Sequence, residues 1–494
     1  MLNAMNLETL RTGARGGTQP SRSSVQGEGA SHDASTPIAT PKRRLDERKT
    51  AFFKLLLFLT LGCAATGSQV SAQELTRESM ANPDATANVG SSTPSNDRTD
   101  YNLRIGPVRF LADVSAGFEY IDNINYSDQN RLSDEVVRIA LNIRTIYDFS
   151  KLNAITLNLG IGYVRYLEHP DATSNDLFVT PGSQVALDVY AFGLFRFNFH
   201  DSFAVLQDPV DNASLSNVTN FGRFINTAGV TAVADLNNVV ITAGYDHTNY
   251  KALNTSFNYL DRSAESLLGS ISLKVAPRAF VGVEGTAAFT NYSGNELIQQ
   301  NDSVGGTGGL FVDITPTPYL RVVARGGYQY TSFDSGGTFT TGRLADGTDV
   351  NPFYQQYNQN RRITDESELS DFYWSVTASN RINAYLAQSL SAGRENDFGL
   401  TSNYITVNYV RYNIAWRALS NVTLGGDLFY ENDQESGGLF DEHIERYGGD
   451  VTLAYQFNLH LTGTLHYYGI VKDSDAILRD YYQNRVGLDL DYKF

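Results

Sequence analysis

The chain has 494 residues, a formal charge of −16 and only 19% charged residues, with 29 Tyr, 27 Phe, 42 Gly, 2 Trp and a single Cys. The acidic balance leaves no basic face to neutralise phosphates, which excludes nucleic acid as a partner. A mean hydropathy of −0.28 is too polar for a bundle of transmembrane helices, and the Tyr/Phe/Gly-rich, Cys-poor make-up fits an exported all-β protein.

In chain order, residues 1–41 are rich in Ser, Thr, Ala and Gly without an apolar period, which predicts disorder. A basic cluster follows, Lys42-Arg43-Arg44 with Arg48 and Lys49, and then an apolar run from Ala51 to Leu61. That run is shorter than the roughly 20 residues a helix needs to span a bilayer. Basic start, short apolar run and small residues ending Val70-Ser71-Ala72 make a secretory signal within 1–72, cleaved after Ala72. Cleavage there removes the one cysteine, Cys63, and shifts the charge to about −20. Thr60-Leu61-Gly62-Cys63 offers a competing lipoprotein-type site, with Thr where Leu is usual. Residues 73–100 are polar and aperiodic, a periplasmic disordered linker ahead of a folded body at 101–494.

From residue 103 onward the dominant period is two. In 137–147, Val137, Ile139, Leu141, Ile143 and Tyr147 oppose Arg138, Ala140, Asn142 and Arg144. The same alternation runs through 155–163 and 320–330. Many of these runs reach ten residues, the length a tilted β-strand needs to cross a bilayer. Short joints fall near 149–153, 191–193, 236–238, 276–278, 315–318, 382–383, 418–420 and 457–458. Longer polar segments lie between them, at 122–133, 167–181, 201–222, 250–261, 292–302, 332–367, 396–403, 432–442 and 472–478.

Short and long connections that take turns predict a single transmembrane antiparallel up-and-down β-barrel of about 18 strands. The glycine-rich stretch 305–309 makes 16 the alternative count. Leu490, Tyr492 and Phe494 end a final alternating strand, the kind of terminus by which the barrel-assembly machinery takes up outer-membrane barrels. The expected location is therefore the cell outer membrane, with outer-membrane lipid and that machinery as partners.

Two segments carry a family resemblance. Leu103-Arg104-Ile105-Gly106-Pro107-Val108-Arg109-Phe110, followed by Gly117-Phe118-Glu119-Tyr120-Ile121-Asp122-Asn123-Ile124, resembles the opening of the bacterial β-barrel porin 2 family. The resemblance implies an outer-membrane component associated with exopolysaccharide loci, with polysaccharide-export proteins or polysaccharide as further partners.

If the apolar face meets lipid, the other face lines a lumen. It then collects Arg138, Arg144, Arg321, Arg325, Arg411, Arg417, Arg446 and Arg485. It also collects Asp113, Glu119, Asp188, Glu284, Asp313, Asp427, Glu431, Asp450, Asp489 and Asp491. An arginine facing lipid near the midplane would cost about 2–4 kcal/mol. Opposed cationic and anionic walls would set ion preference or orient sugars. No catalytic, cofactor or metal site is expected: no Gly-x-Ser-x-Gly elbow occurs, and His460 and His466 lie about 20 Å apart along a strand. The long segment 332–367 has the composition of an ordinary solvated loop, with a constriction or an outer, saccharide-contacting surface as the alternatives. These features point to a channel or export component, which the resemblance links to exopolysaccharide biosynthesis or secretion. A general diffusion porin is the alternative, and a barrel-embedded hydrolase or surface adhesin are alternatives of another class.

Overall fold

The computed structural model describes residues 101–208, 212–293, 300–334, 365–438 and 440–494. The expected signal with its cleavage at Ala72, Cys63, the linker 73–100 and most of 332–367 lie outside the described residues.

The alternating runs are strands. They are β1 (Leu103–Ile105), β2 (Val108–Ile121), β3 (Asp134–Asp148), β4 (Ala154–Tyr166), β5 (Leu177–Ala191), β6 (Phe195–Leu206), β7 (Arg223–Asp235), β8 (Val239–Ala252), β9 (Arg262–Ala276) and β10 (Ala279–Tyr292). Then follow β11 (Ser303–Thr317), β12 (Leu320–Phe333), β13 (Glu368–Arg381), β14 (Leu386–Phe398), β15 (Tyr404–Leu419), β16 (Val422–Glu435), β17 (His443–Gln456), β18 (Leu461–Ser474) and β19 (Tyr481–Lys493).

Each strand from β2 to β19 pairs antiparallel with its chain neighbours, and β19 pairs back onto β2 from Arg485–Ile121 to Lys493–Asp113. The result is a closed eighteen-stranded barrel. Sixteen is ruled out because the whole glycine run 305–309 lies inside one strand, β11. Short β1 stands apart: it folds back on Val108–Phe110, where β2 extends past the end of β19, and so covers that piece of edge. An open edge in hydrocarbon would leave backbone donors and acceptors without partners.

Side chains alternate across this wall. On β12, Leu320, Val322, Ala324, Tyr328 and Tyr330 face out, while Arg325, Gln329, Thr331 and Phe333 are buried on the inward side. Two levels of outward aromatics frame the apolar band. Tyr147, Phe195, Tyr455 and Tyr492 lie near the short-turn end, and Tyr120, Tyr163, Tyr245, Tyr328, Phe372 and Tyr430 near the long-loop end. Such rings prefer the two membrane–water interfaces.

The long connections are shorter than the alternation implies. β6 runs on to Leu206, β8 to Ala252, β14 to Phe398, β16 to Glu435 and β18 to Ser474, and β5 begins at Leu177. Above the upper aromatic level the outward face turns polar, as at Asn408, Asn432 and Glu445, so the period-two contrast vanishes while the ladder continues. β5 also carries a register shift between Val179 and Ser183 that breaks its pattern.

The barrel closes at its last residues. Leu490, Tyr492 and Phe494 all face outward, and the Phe494 amide donates to the Ala112 carbonyl (3.3 Å) at the β19–β2 seam. Deleting Phe494 removes both a seam hydrogen bond and an interfacial ring. The folded amount in the outer-membrane fraction should fall, with unfolded material appearing in the periplasm; fractionation with heat-shift gels reads both. An unchanged folded amount would show that the seam closes without it.

Candidate functional site

The charged residues assigned to the lumen all lie on the face opposite the lipid-facing side chains. Cross-strand pairing then decides which of them meet, a matter alternation leaves open. Arg325 pairs with Glu284 (3.1 Å), with the Tyr373 hydroxyl donating to the same carboxylate (3.5 Å). Arg321, four residues lower on the same face, makes a two-pronged pair with Asp313 (3.0 and 2.7 Å). Glu431 takes Arg446 (3.0 and 2.6 Å) and Arg411 (3.3 Å) together. Arg138 pairs with Glu119, and His466 sits between Glu119 (3.3 Å) and Asp489 (2.9 Å). Asp188 accepts from Asn198 (3.0 Å) with Arg196 nearby (3.7 Å). Asp427 and Asp450 stand opposite one another in register. Arg144 and Arg417 lie close to the short-turn end of β3 and β15.

Exposure along the inward face falls steadily toward the long-loop end. On β12, the Arg321 side chain is 41% exposed while that of Arg325 is 4% exposed. On β19, Asp489 and Asp491 are accessible and Arg485, Gln483 and Tyr481 are buried; β16 repeats this from Asp427 to Glu435. An empty eighteen-stranded lumen would leave these positions wet. Among the described residues the lumen is therefore open at the short-turn end and filled at its mouth.

What fills it, among the described residues, is Gln207, Asp208 and 212–222 of the connection between β6 and β7. Ala213 reaches Ile405 and Val407 of β15 and Ile444 of β17, diametrically across the ring. Asp208 binds Arg485 (2.6 and 3.1 Å) and accepts from the Tyr126 hydroxyl. Further along, Ser216 accepts from Lys472 Nζ (3.1 Å) and donates to the Arg479 carbonyl (2.8 Å). The Arg479 guanidinium donates to the Ser214 carbonyl. Asn217 bonds the carbonyl of Leu478 (3.0 Å) and takes the Tyr126 carbonyl (3.1 Å) on its amide.

Glu442 anchors this strap from the opposite wall. Its carboxylate holds Lys472 (2.8 Å) and Arg479 (2.7 Å), and all three side chains are almost completely buried. Burial pushes the Glu442 carboxyl up, yet Lys472 and Arg479 outweigh it and keep it below the ordinary carboxylate value. Two cations around one dry carboxylate gain Coulomb energy that a surface pair does not. The segment 332–367, with its open alternatives of solvated loop, constriction or saccharide-contacting surface, lies mostly outside the described residues, and alternation gives no sign of the strap between β6 and β7. Its residues are polar and small, as in any solvated loop; only their distant partners mark it.

Glu442→Gln would leave Lys472 buried with its charge uncompensated, a change that costs about 3–5 kcal/mol in buried pairs. The heat-shift temperature of the barrel should drop and its conductance rise as the strap loosens. In acid the Glu442 contribution is full above the ordinary carboxylate value of 4.5 and is lost progressively as pH falls from there through the lowered Glu442 value. Loosening already at pH 6 would show that another group holds the strap.

Among solved structures, OccK2 (OpdF) of Pseudomonas aeruginosa, in complex with glucuronate, is 12% identical with a TM-score of 0.43, covering 78% of this chain and 98% of that one. The outer membrane protein opdK of the same organism is 11% identical at a TM-score of 0.42, covering 78% and 99%. OccK11 (OpdR) gives 11% and 0.40, covering 78% and 96%. No family model matches the chain, and no curated protein matches it. The closed wall, its apolar outer band and its two aromatic levels are the features of an outer-membrane β-barrel.

Proposed function

We propose that this barrel is a channel for the diffusion of small polar and charged solutes. The observation that carries the reading is the accessible charged wall in the short-turn half of the lumen. Asp427, Asp450, Asp489 and Asp491 lie along β16, β17 and β19, and Arg144, Arg321 and Arg417 lie elsewhere on the ring. Eighteen strands enclose a water-filled bore, and opposed charges along it act on solutes passing one at a time.

The exopolysaccharide reading asks for more. A secreted polymer needs an unobstructed bore along its whole length, and the 207–222 strap ties opposite walls together at the mouth. Small-solute diffusion is compatible with that narrowing. An enzyme reading finds its most promising group in His466, but both its ring nitrogens are engaged by carboxylates, leaving none to activate a nucleophile.

In planar bilayers under a salt gradient the purified protein should conduct and favour cations, because the accessible wall has more Asp than Arg. Asp427→Asn, Asp450→Asn and Asp491→Asn together should lower the cation-to-anion permeability ratio by roughly twofold or more. A protein that folds and inserts yet passes no current would overturn the channel reading in favour of the adhesin.

A further inference from the structure

The wall is not hydrogen-bonded all the way up between β13 and β14. Their ladder runs from Arg381–Ala387 only as far as Trp374–Arg394. The flanking ladders continue, β12–β13 to Glu368 and β14–β15 to Phe398. Residues 368–373 thus present a free strand edge to β14. The Phe372 amide on that edge donates to the carboxylate of its own neighbour, Asp371 (2.8 Å), in place of a strand partner.

β14 has left the wall here by bending inward. Asn396 shares a face with lipid-facing Leu390 and Arg394, yet it donates to Gln329 (3.3 Å) on the inward face of β12. Phe398 and Tyr404 pack in the same way on Phe333 and Leu369, with Tyr404 stacked on Phe333 at 6.0 Å. The tip of the β14–β15 hairpin therefore lies inside β12 and β13. Above the gap, Asp365 bridges to Gly437 and accepts from Ser436 Oγ (2.7 Å) and the Asn403 amide (2.6 Å), closing the frame. The wall thus has a window in its backbone pairing, bounded below by Trp374–Arg394 and above by Asp365–Gly437 and filled from within by the packed side chains of Leu369, Phe398 and Tyr404.

The window sits at the upper aromatic level, where Phe372 is 66% exposed with Tyr328 edge-on against it (5.2 Å). Its inner lining is Leu369, Phe398 and Tyr404. One polar latch crosses it: Asp371 holds Arg394 (3.0 and 2.6 Å). We infer that this window is a lateral site for a single-chain amphiphile with a carboxylate-like head. The head would take the place of Asp371 on the Arg394 guanidinium and the Phe372 amide, both donors matched to an anion. The tail would lie among Phe372, Leu369 and Phe398, between the membrane interface and the barrel mouth.

The test does not depend on conduction, so it stands or falls separately from the channel reading. Asp371→Cys with Arg394→Cys, in a Cys63→Ser background, can be bridged by ethylene bis-methanethiosulfonate and released by reductant. The folded protein in lipid vesicles is exposed to dodecanoate bearing a diazirine, and labelled residues are mapped by mass spectrometry. Label is expected on Leu369 and Phe398 in the parent, falling at least tenfold both in the released variant, which lacks the Arg394 guanidinium, and when bridged. Lipid-facing Val376 and Leu390 should label equally throughout. Labelling of Leu369 and Phe398 in the released variant equal to that in the parent would overturn the inference, as would label on Val376 and Leu390 alone.

Discussion

A backbone amide in hydrocarbon has no water to turn to, and this one constraint organises the barrel. It demands that eighteen strands close, that β19 find β2, and that β1 cover the length of β2 that β19 does not reach. Once the ring is closed, alternation assigns each side chain to lipid or lumen. Arginines and carboxylates then have one side on which they can be accommodated. The charged lumen is a consequence of the closed wall, whatever passes through it.

This explains how much could be read in the sequence. Strand count, the succession of turns and loops, and the lumen face all follow from local period and connection length. The upper strand ends were read too short because alternation reports burial contrast rather than pairing. At Asn432 to Glu435 both faces are polar or covered, yet the ladder to β17 continues through Gln434–His443. Arg321 and Arg325 look equivalent in sequence, four residues apart on one face. Their difference arises from what stands above them in the mouth, where segments distant in sequence converge.

Those segments meet through charge. Lys472, Glu442 and Arg479 come from β18, the β16–β17 connection and the β18–β19 connection, and they act on Ser214 and Ser216 from the far wall. Pairs of this kind bring a large desolvation cost, and they are stabilising only when each charge is fully partnered. Such an arrangement tolerates little displacement. The strap is therefore held in one position, which suits a fixed narrowing better than a loosely hung loop.

The strap and the window reflect the same change of solvent along the strands. Within the apolar band the ladders are complete except at the irregularity of β5, where Ser183 Oγ accepts from the Gly160 amide (3.0 Å) in place of a strand partner. At the upper aromatic level water and headgroups become available, and a ladder can end if side chains take over. Between β13 and β14 they do: a carboxylate satisfies the Phe372 amide, an arginine satisfies the carboxylate, and β14 is released to bend inward. Bending carries Phe398 and Tyr404 onto Phe333 and Leu369, so the apolar surface gained inside offsets the backbone pairing given up in the wall. The packed tip of the β14–β15 hairpin and the gap in the wall are two results of that single departure.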